Sequence, residues 1–417
     1  MAGVIRRTFI SLRHRNYRLF FIGQTVSNTG NWLTNVALTL LVLHLTDSGV
    51  AVGTLTAAQY GPLLVLAAAG GAIADRGNKR NLLFVTQTLE MLQSFVLAGL
   101  AFMHDPPLWA LYVVASLGGV FLALDNPLRR SFVTEMVPAH DRPNAIVLYS
   151  LIVNISRIAG PALAGALIVG VGYGWAFVVD AVSYVVVLVA LWMMRPGELL
   201  RIVPRPRQKG EVREGIRYVA RTPVLAVPFV MLAIVGSLGY NFNVTLPLLV
   251  KHSLHGSDGT FTFVYTMFSV GAVVGGLVVA NRTWVELRHI VVGSVLLGVA
   301  MLLLAGAPNA ALAATTAVLI GLTSIVYMTA TTSIVQVEAE PEFHGRVLAL
   351  QTSLMVGTAP IGGPALGWLA DALGARSPIA LGALSCFGAA AYGAYAGRRS
   401  VTAPSTSAPT AQPVHPG

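Results

Sequence analysis

Apolar residues run along this chain in long blocks, not in the short alternating or one-sided patterns of a soluble domain. Twelve blocks stand out, over residues 17–45, 50–74, 82–104, 107–126, 144–170, 174–195, 224–250, 260–281, 289–306, 309–331, 346–370 and 376–397. Bilayer hydrocarbon is roughly 30 Å thick and an α-helix rises about 1.5 Å per residue, so about 20 apolar residues cross it. Each block therefore predicts one transmembrane helix, called here span 1 to span 12. Pro and Gly inside several blocks are compatible with this, because neighbouring helices of a bundle satisfy the freed backbone groups. The first block follows Arg6, Arg7, Arg13, Arg15 and Arg18, as a secretory signal would. It is too long for one, and no A-x-A cleavage site follows, so it reads as a retained helix. The predicted class is an all-α membrane protein.

The longest polar stretch, 195–222, separates six spans from six. The expected organisation is a basic N-terminus over 1–16, a six-helix half over 17–195, a linker over 196–223, a second six-helix half over 224–397, and a disordered tail rich in Pro, Ser, Thr and Ala over 398–417. Within the linker, Glu211 to Arg221 has the pattern of an amphipathic helix suited to an anionic leaflet. An internal repeat supports the division, since Gly160-Pro-Ala-Leu-Ala-Gly165 in span 5 returns 203 residues later as Gly363-Pro-Ala-Leu-Gly367 in span 11. Paired halves are a common construction of secondary transporters.

Composition agrees with a membrane setting: 55% of the 417 residues are hydrophobic and 11% charged, against about 25% charged in soluble domains. The net charge of +10 raises the question of a nucleic-acid partner. Position answers it, because 24 of the 27 Lys and Arg lie at the chain ends or in the even-numbered loops. Such a bias follows the positive-inside rule and places both termini in the cytoplasm, whereas a nucleic-acid site clusters its charge. The lone Cys386 excludes an intramolecular disulfide. None of the three lysines follows a Gly, so no phosphate-binding G-K-[ST] loop is present, and neither H-E-x-x-H nor G-x-S-x-G occurs. His252 and His255, in an outer loop, are too few for a metal site. No enzyme activity, cofactor or metal is expected.

Loop 2/3 reads Gly71-Ala-Ile-Ala-Asp75-Arg76-Gly-Asn-Lys79-Arg80. With this G-x-x-x-D-R-x-x-R/K-R/K signature the chain resembles the major facilitator superfamily. One position departs: the usual Gly before the last basic pair is Asn78, with Gly77 displaced by one. The resemblance implies two pseudo-symmetric six-helix halves and a gate in which Asp75 caps the start of helix 11. An anion at a helix N-terminus is stabilised by roughly 0.3 to 1 kcal/mol, which suits that role. Gly160-Pro161-x-x-Ala164-Gly165 resembles the helix-5 motif of the superfamily's proton antiporters, with Ala164 for the usual Gly; close helix packing explains it equally. Three further stretches are similar to the bacterial subgroup that includes the enterobactin exporter and many actinobacterial efflux pumps. They are Asp125-Asn-Pro127-x-Arg129-Arg130 to Pro138, Asn144-Ala, and Glu214-Gly-x-x-Tyr218 to Pro223. Span 4 lacks the intramembrane Arg of the drug antiporters' helix-4 motif, so proton coupling does not carry over residue by residue.

The superfamily's architecture places spans 1, 4, 7 and 10 around a central cavity. Span 1 carries Gln24, Asn28, Asn31 and Asn35 on one face, span 7 Ser237, Asn241 and Thr245, and span 10 Thr323, Tyr327 and Thr331. Amides aligned this way need a water-filled cavity or a partner helix. An ionisable group at mid-membrane costs roughly 2.5 to 3.5 kcal/mol on insertion scales, so the few present are functional candidates. Arg157 on span 5, with Asn154 beside it, lies roughly 20 Å from the cytoplasmic end, Asp180 on span 6 roughly 22 Å, and Glu90 on span 3 roughly 13 Å. Asp180 is the candidate salt-bridge partner of Arg157. Glu90 is the candidate protonatable group, because a carboxyl in the membrane interior can exchange protons near neutrality; Arg157 is the candidate substitute for the missing helix-4 Arg. Together these point to a monomeric, proton-coupled exporter of small amphipathic molecules (drugs, dyes or siderophore-like metabolites) in a bacterial cell membrane, with lipid, solute and protons as partners. Import of a metabolite or lipid is the alternative within the transporter class, and a transporter-like receptor or scaffold without flux the alternative outside it.

Overall fold

The computed structural model describes residues 9–200, 211–279, 286–340 and 342–402, and within them all side chains except those of 67–69, 71–72, 74–76, 211–212, 356 and 399–402. The first eight residues of the basic N-terminus, the linker stretch 201–210 and the tail from 403 lie outside the described residues. Every regular element described is helical. The first half holds α1 (Arg15–Thr46), α2 (Gly49–Arg76), α3 (Lys79–Ala101), α4 (Leu108–Val133), α5 (Arg142–Val171) and α6 (Tyr173–Met193). The linker helix α7 (Glu211–Arg221) leads to α8 (Pro223–Leu238), α9 (Phe242–Leu248), α10 (Asp258–Val279) and α11 (Leu287–Ala305). The chain closes with α12 (Ala310–Glu338), α13 (His344–Gly357), α14 (Ala359–Leu373) and α15 (Ser377–Thr402).

Ten segments are long and apolar enough to cross a bilayer, with α8 and α9 counted as one. The helices at spans 1 and 11 stand outside that set, for different physical reasons. α1 has ample length, 32 residues, but the amides of Gln24, Asn28, Asn31 and Asn35 lower its apolar character. Span 11 is interrupted at Thr358 into helices of 14 and 15 residues, and Pro360 opens the second, where a missing N–H removes no helical bond. Span 7 is interrupted too: Asn241 sits between α8 and α9 outside helical geometry, and the chain then widens into a π-helical turn over Leu249–Ser253. Span 4 is longer than its hydrophobic block, since α4 continues to Val133 and carries Arg129 into the interior at 2% exposure. The expectation that Arg129 belongs to loop 4/5 is corrected here.

The two halves repeat one packing scheme. In the first, α2 lies along α4, α3 along α6, and α1 against both α5 and α6; in the second, α10 lies along α12, α11 along α15, and α8 against α15. The halves meet along two seams, α5 with α10 and α2 with α14. Glycines set these seams. A side chain at Gly165 would run into Thr262 of α10, one at Gly363 would meet the Gly53 carbonyl, and one at Gly367 the Gly49 carbonyl. Gly160 fits against Trp32 and Leu33 of α1, so both copies of the repeated glycine motif serve close helix approach. The outer surface is apolar, with Trp109, Val169, Trp192, Leu277, Ile361 and Leu373 all strongly exposed. That belt suits contact with lipid, since a soluble monomer does not expose so continuous an apolar surface. α7 docks on the second half: Tyr218 stacks on Phe343 at 4.3 Å, and Arg346 donates to Glu214 at 2.9 Å.

Candidate functional site

Two buried carboxylate sites occupy the first half. In the first, the Asp125-x-x-x-Arg129 spacing brings both side chains to one face of α4. The Arg129 guanidinium pairs with Asp125 and, at 3.1 Å, with Glu90 of α3. The Gln87 amide donates to Asp125 and to Glu90, each at 3.0 Å, and the Thr86 hydroxyl donates to Asp125 at 2.6 Å. Arg129 also reaches the Asn28 carbonyl oxygen at 3.4 Å. All three charged groups are at most 3% exposed. One permanent cation thus faces two carboxylates, and charges so buried persist only when paired and hydrogen-bonded.

The second site is Asp180 on α6, which accepts from Thr34 and Ser94, both at 2.7 Å, and from Ser183 at 3.5 Å. Its partners are hydroxyls, with no cation among the described residues. The expected Asp180–Arg157 pair does not form. α1 runs between α5 and α6, so Gly30 and Thr34 face Asp180 while Trp32, on the opposite side of α1, faces Arg157. Similar depth in the membrane did not imply proximity.

A cavity of ≈ 60 Å³, lined by Glu90, Asp180, Asn31, Asn35, Tyr60 and Tyr184 among others, joins the two carboxylate sites. Such a volume holds a few waters. The amide face of span 1 is therefore split in use. Asn31 donates to the Tyr184 hydroxyl at 3.4 Å and Asn35 to the Tyr60 hydroxyl at 3.3 Å, both at the cavity. Asn28 serves Arg129, and Gln24 is fully buried with neither amide atom partnered among the described residues. Cavity lining and interhelical bonding, two readings of one sequence pattern, coexist along the same helix.

The remaining candidates do not converge on this cavity. Asn154 turns back to the Ser150 carbonyl of its own helix, at 2.9 Å. Asn241, in the break of span 7, donates to the Ser237 carbonyl at 2.8 Å, and Tyr327 is fully buried beside Tyr240. Arg157 stacks over the Trp32 ring at 5.3 Å, half-buried. In loop 2/3 the side chains of Asp75 and Arg76 lie outside the described residues, as does everything beyond the backbone at Gly71, so the cap on helix 11 is not described. Lys79 pairs with Glu135, and Arg80 donates to the Leu191 and Trp192 carbonyls at 2.8 and 3.2 Å. This basic pair staples the loop to its own half. Asn78, standing for the usual Gly, caps α3 by accepting from the Asn81 amide at 3.3 Å.

At the odd-numbered loops the halves are joined. Asp371, at the end of α14, accepts from the amides of Gly49 and Val50 at 2.6 and 3.0 Å and from the Ser48 hydroxyl at 2.8 Å. Tyr173 donates to Asp258 at 2.6 Å, and His252 meets Asp47 at 2.9 Å. At the even-numbered loops, none of the hydrogen bonds and ion pairs seen among the described residues joins the two six-helix halves. Sequence reasoning passed over Asp371 and Arg129, although each left a signal. Gly367-Trp-Leu-Ala-Asp371 ends span 11 as Gly71-Ala-Ile-Ala-Asp75 ends span 2, and Asp125 and Arg129 stand one helical turn apart.

Two repeated helical halves, small-residue seams, a lipid-suited surface and buried charges on an internal polar cavity define a multi-pass membrane transporter. The chain matches the model for transmembrane secretion effectors over residues 6–412. It belongs to that family, within the major facilitator superfamily, as the loop 2/3 signature implied. Among curated relatives it is 24% identical over 262 residues to the staphyloferrin A transporter of Staphylococcus aureus, covering 63% of this chain and 66% of that protein. It is 26% identical to the multidrug efflux pump Tap of Mycolicibacterium fortuitum, over 85% of this chain and 89% of the pump. It is 22% identical to the enterobactin exporter EntS of Salmonella typhi, over 63% of each. A crystal structure of a bacterial homologue of the human lysosomal transporter Spinster, inward-facing and occupied, shares the fold at TM-score 0.73 and 16% identity, over 92% of this chain and 97% of that one.

Proposed function

We propose that this protein is a proton-coupled exporter of small amphipathic molecules, working by alternating access as a monomer with twelve membrane crossings and both termini in the cytoplasm. The observation that carries the reading is the pair of buried carboxylate sites opening on one polar cavity. When Glu90 takes up a proton, Arg129 is left to Asp125 alone and the excess negative charge of the trio disappears. When Glu90 releases it, the guanidinium is shared again. The shift is felt by Asn28 on α1 through Arg129, and by Asn31 and Asn35 through the cavity they line with Glu90. Proton exchange and the polar face of α1 thus share one set of contacts, the minimum that coupling requires.

Alternating access is supported by the asymmetry between the two faces. The seams are tight and polar-latched at the odd-numbered loops and carry no described latch at the other face. With the positive charge of the even-numbered loops taken as cytoplasmic, we read this as a state latched at the outer face. Span 1 crosses as α1 in spite of its amides, because those amides face protein and cavity and not lipid. Span 11 crosses as α13 and α14 in series, with the break packed against α2 and α8. Outward direction rests on the relatives, which include an efflux pump and an enterobactin exporter by name.

The test is proton movement in sealed inside-out vesicles containing the protein, with drugs, dyes and siderophores added to an established pH gradient. A ligand-dependent loss of the gradient that disappears in Glu90→Gln is the expected result. Flux that proceeds unchanged in that variant, or binding without any response of the gradient, removes the proton-antiport reading.

A further inference from the structure

We infer that Arg157, held on the face of Trp32 between the two halves, is the recognition point for an anionic group on the transported solute. The inference rests on the transporter reading and names the substrate class of the same protein. A guanidinium carries five N–H donors and stays charged. Those of Arg129 are engaged by Asp125, Glu90 and Asn28. Arg157 makes no hydrogen bond or ion pair among the described residues, yet it is half-buried in the middle of α5. Stacking at 5.3 Å over Trp32 fixes the cation in place through the ring face, which leaves its N–H edge unspent. A charge held inside a membrane protein without a counter-ion is costly, and an anionic solute supplies the missing partner.

The surroundings fit a bound organic anion better than a structural ion pair. Tyr60 of α2, Tyr240 between α8 and α9, and Tyr265 of α10 all lie within electrostatic reach of Arg157. Tyr265 donates to Asn243 at 2.7 Å, and Tyr60 accepts from Asn35 at 3.3 Å. Phenol groups of both halves therefore lie in the field of one cation, a pairing of aromatic and charged groups that suits an aromatic ligand with a polar head. A solute gripped by residues of both halves is what a rocking-bundle transporter must hold at its midplane. A positively charged amphiphile meets repulsion here. The geometry thus selects anionic or zwitterionic aromatic molecules.

The experiment is equilibrium binding of two xanthene dyes of opposite charge, fluorescein and rhodamine 6G, to the purified full chain in neutral detergent, read by fluorescence anisotropy. No gradient is involved, so failure here leaves proton coupling untouched, and failure of coupling leaves this result untouched. Wild type is expected to bind fluorescein in preference to rhodamine 6G. Arg157→Gln is expected to weaken fluorescein roughly ten- to hundredfold, the range for losing a charge-assisted hydrogen bond. Arg157→Lys should retain part of the preference, and Trp32→Leu should weaken binding less than Arg157→Gln does. Monodisperse elution of each variant establishes that it is folded, and should Arg157→Gln not fold, the Arg157→Lys and Trp32→Leu series carries the test. Repeating the titration with phosphatidylglycerol or phosphatidylcholine present distinguishes the source of the anion. Competition by phosphatidylglycerol alone, dependent on Arg157, supports the anion site and assigns it to a lipid head group. Preference for rhodamine 6G, fluorescein binding indifferent to Arg157, or no saturable binding of either dye overturns the inference.

Discussion

The carboxylate of Asp371 lies 2.6 Å from the backbone amide of Gly49, so the end of α14 is latched to the start of α2 across the two halves. Val50 and Ser48 complete the cap. A carboxylate at a helix N-terminus gains both from the unpaired amides and from the helix dipole, together on the order of 0.5 to 2 kcal/mol. Under the proposed alternating access, such a latch is strong enough to bias the closed state and weak enough to release. Asp371→Ala is therefore expected to lower the closed population by about two- to thirtyfold. Spin labels on the exposed positions Val50 and Leu373 report it as a broader and longer distance distribution. An unchanged distribution would mean that glycine packing alone closes the seam.

Glu90 and Arg129 are paired, yet their removal should have opposite consequences. Arg129→Ala leaves Asp125 and Glu90 buried together without a cation, and an orphaned buried charge of this kind costs about 3 to 5 kcal/mol. The variant should express poorly or lose most of its thermal stability in a size-exclusion melting assay. Glu90→Gln keeps the Arg129–Asp125 pair and a hydrogen-bonding side chain of the same shape. It should fold with near-native stability while losing the dependence of transport on a pH gradient. Equal instability of the two variants would assign Glu90 a structural role only.

Much of the fold is written in the apolar blocks, because a bilayer imposes one length scale on every crossing helix and charge obeys loop parity. The interior was less legible. Depth along a helix follows from residue count, and for that reason Arg157 and Asp180 looked like partners; azimuth does not follow from depth, and α1 separates them. Arg129 was assigned to a loop because hydropathy falls at Asp125, although the i, i+4 pairing lets both charges continue the helix inside the protein. The amide face of α1 was visible by its period, but which amide meets the cavity and which meets Arg129 depends on neighbours that the period cannot name. Asp371 was hidden for the opposite reason. It marks the end of a span by an ordinary loop signal, and its target lies 322 residues away.

Lys79 and Glu135 offer a prediction on the loop 2/3 signature itself. Their side chains pair while only 8% and 10% exposed, joining the start of α3 to the segment after α4. Lys79→Ala should therefore lower stability well beyond the 0 to about 1 kcal/mol of an exposed pair, with a drop in melting temperature. The reciprocal exchange, Lys79→Glu with Glu135→Lys, should recover much of it, provided that the pair acts through its charges within one half. Rescue of stability without rescue of transport would show that Lys79 has a second partner during the cycle.

The two helix-crossing glycines of span 11 allow the seam itself to be tested apart from its polar latch. At Gly367 an added methyl would press on the carbonyl of Gly49, a backbone atom that yields only if the helices move apart. At Gly388, in the body of α15, an added methyl meets nothing within 4 Å. Overpacking typically costs about 1 to 3 kcal/mol, while Gly→Ala in an open helical position gains about 0.4 to 1 kcal/mol through the unfolded chain. Gly367→Ala should thus disfavour the state closed at the odd-numbered loops, and Gly388→Ala should raise the melting temperature with transport intact. The cost of Gly367→Ala belongs to one conformation and not to the fold as a whole. It should therefore show as a change in the Val50–Leu373 spin-label distances larger than its effect on stability, and combining it with Asp371→Ala should add little once the seam is already open.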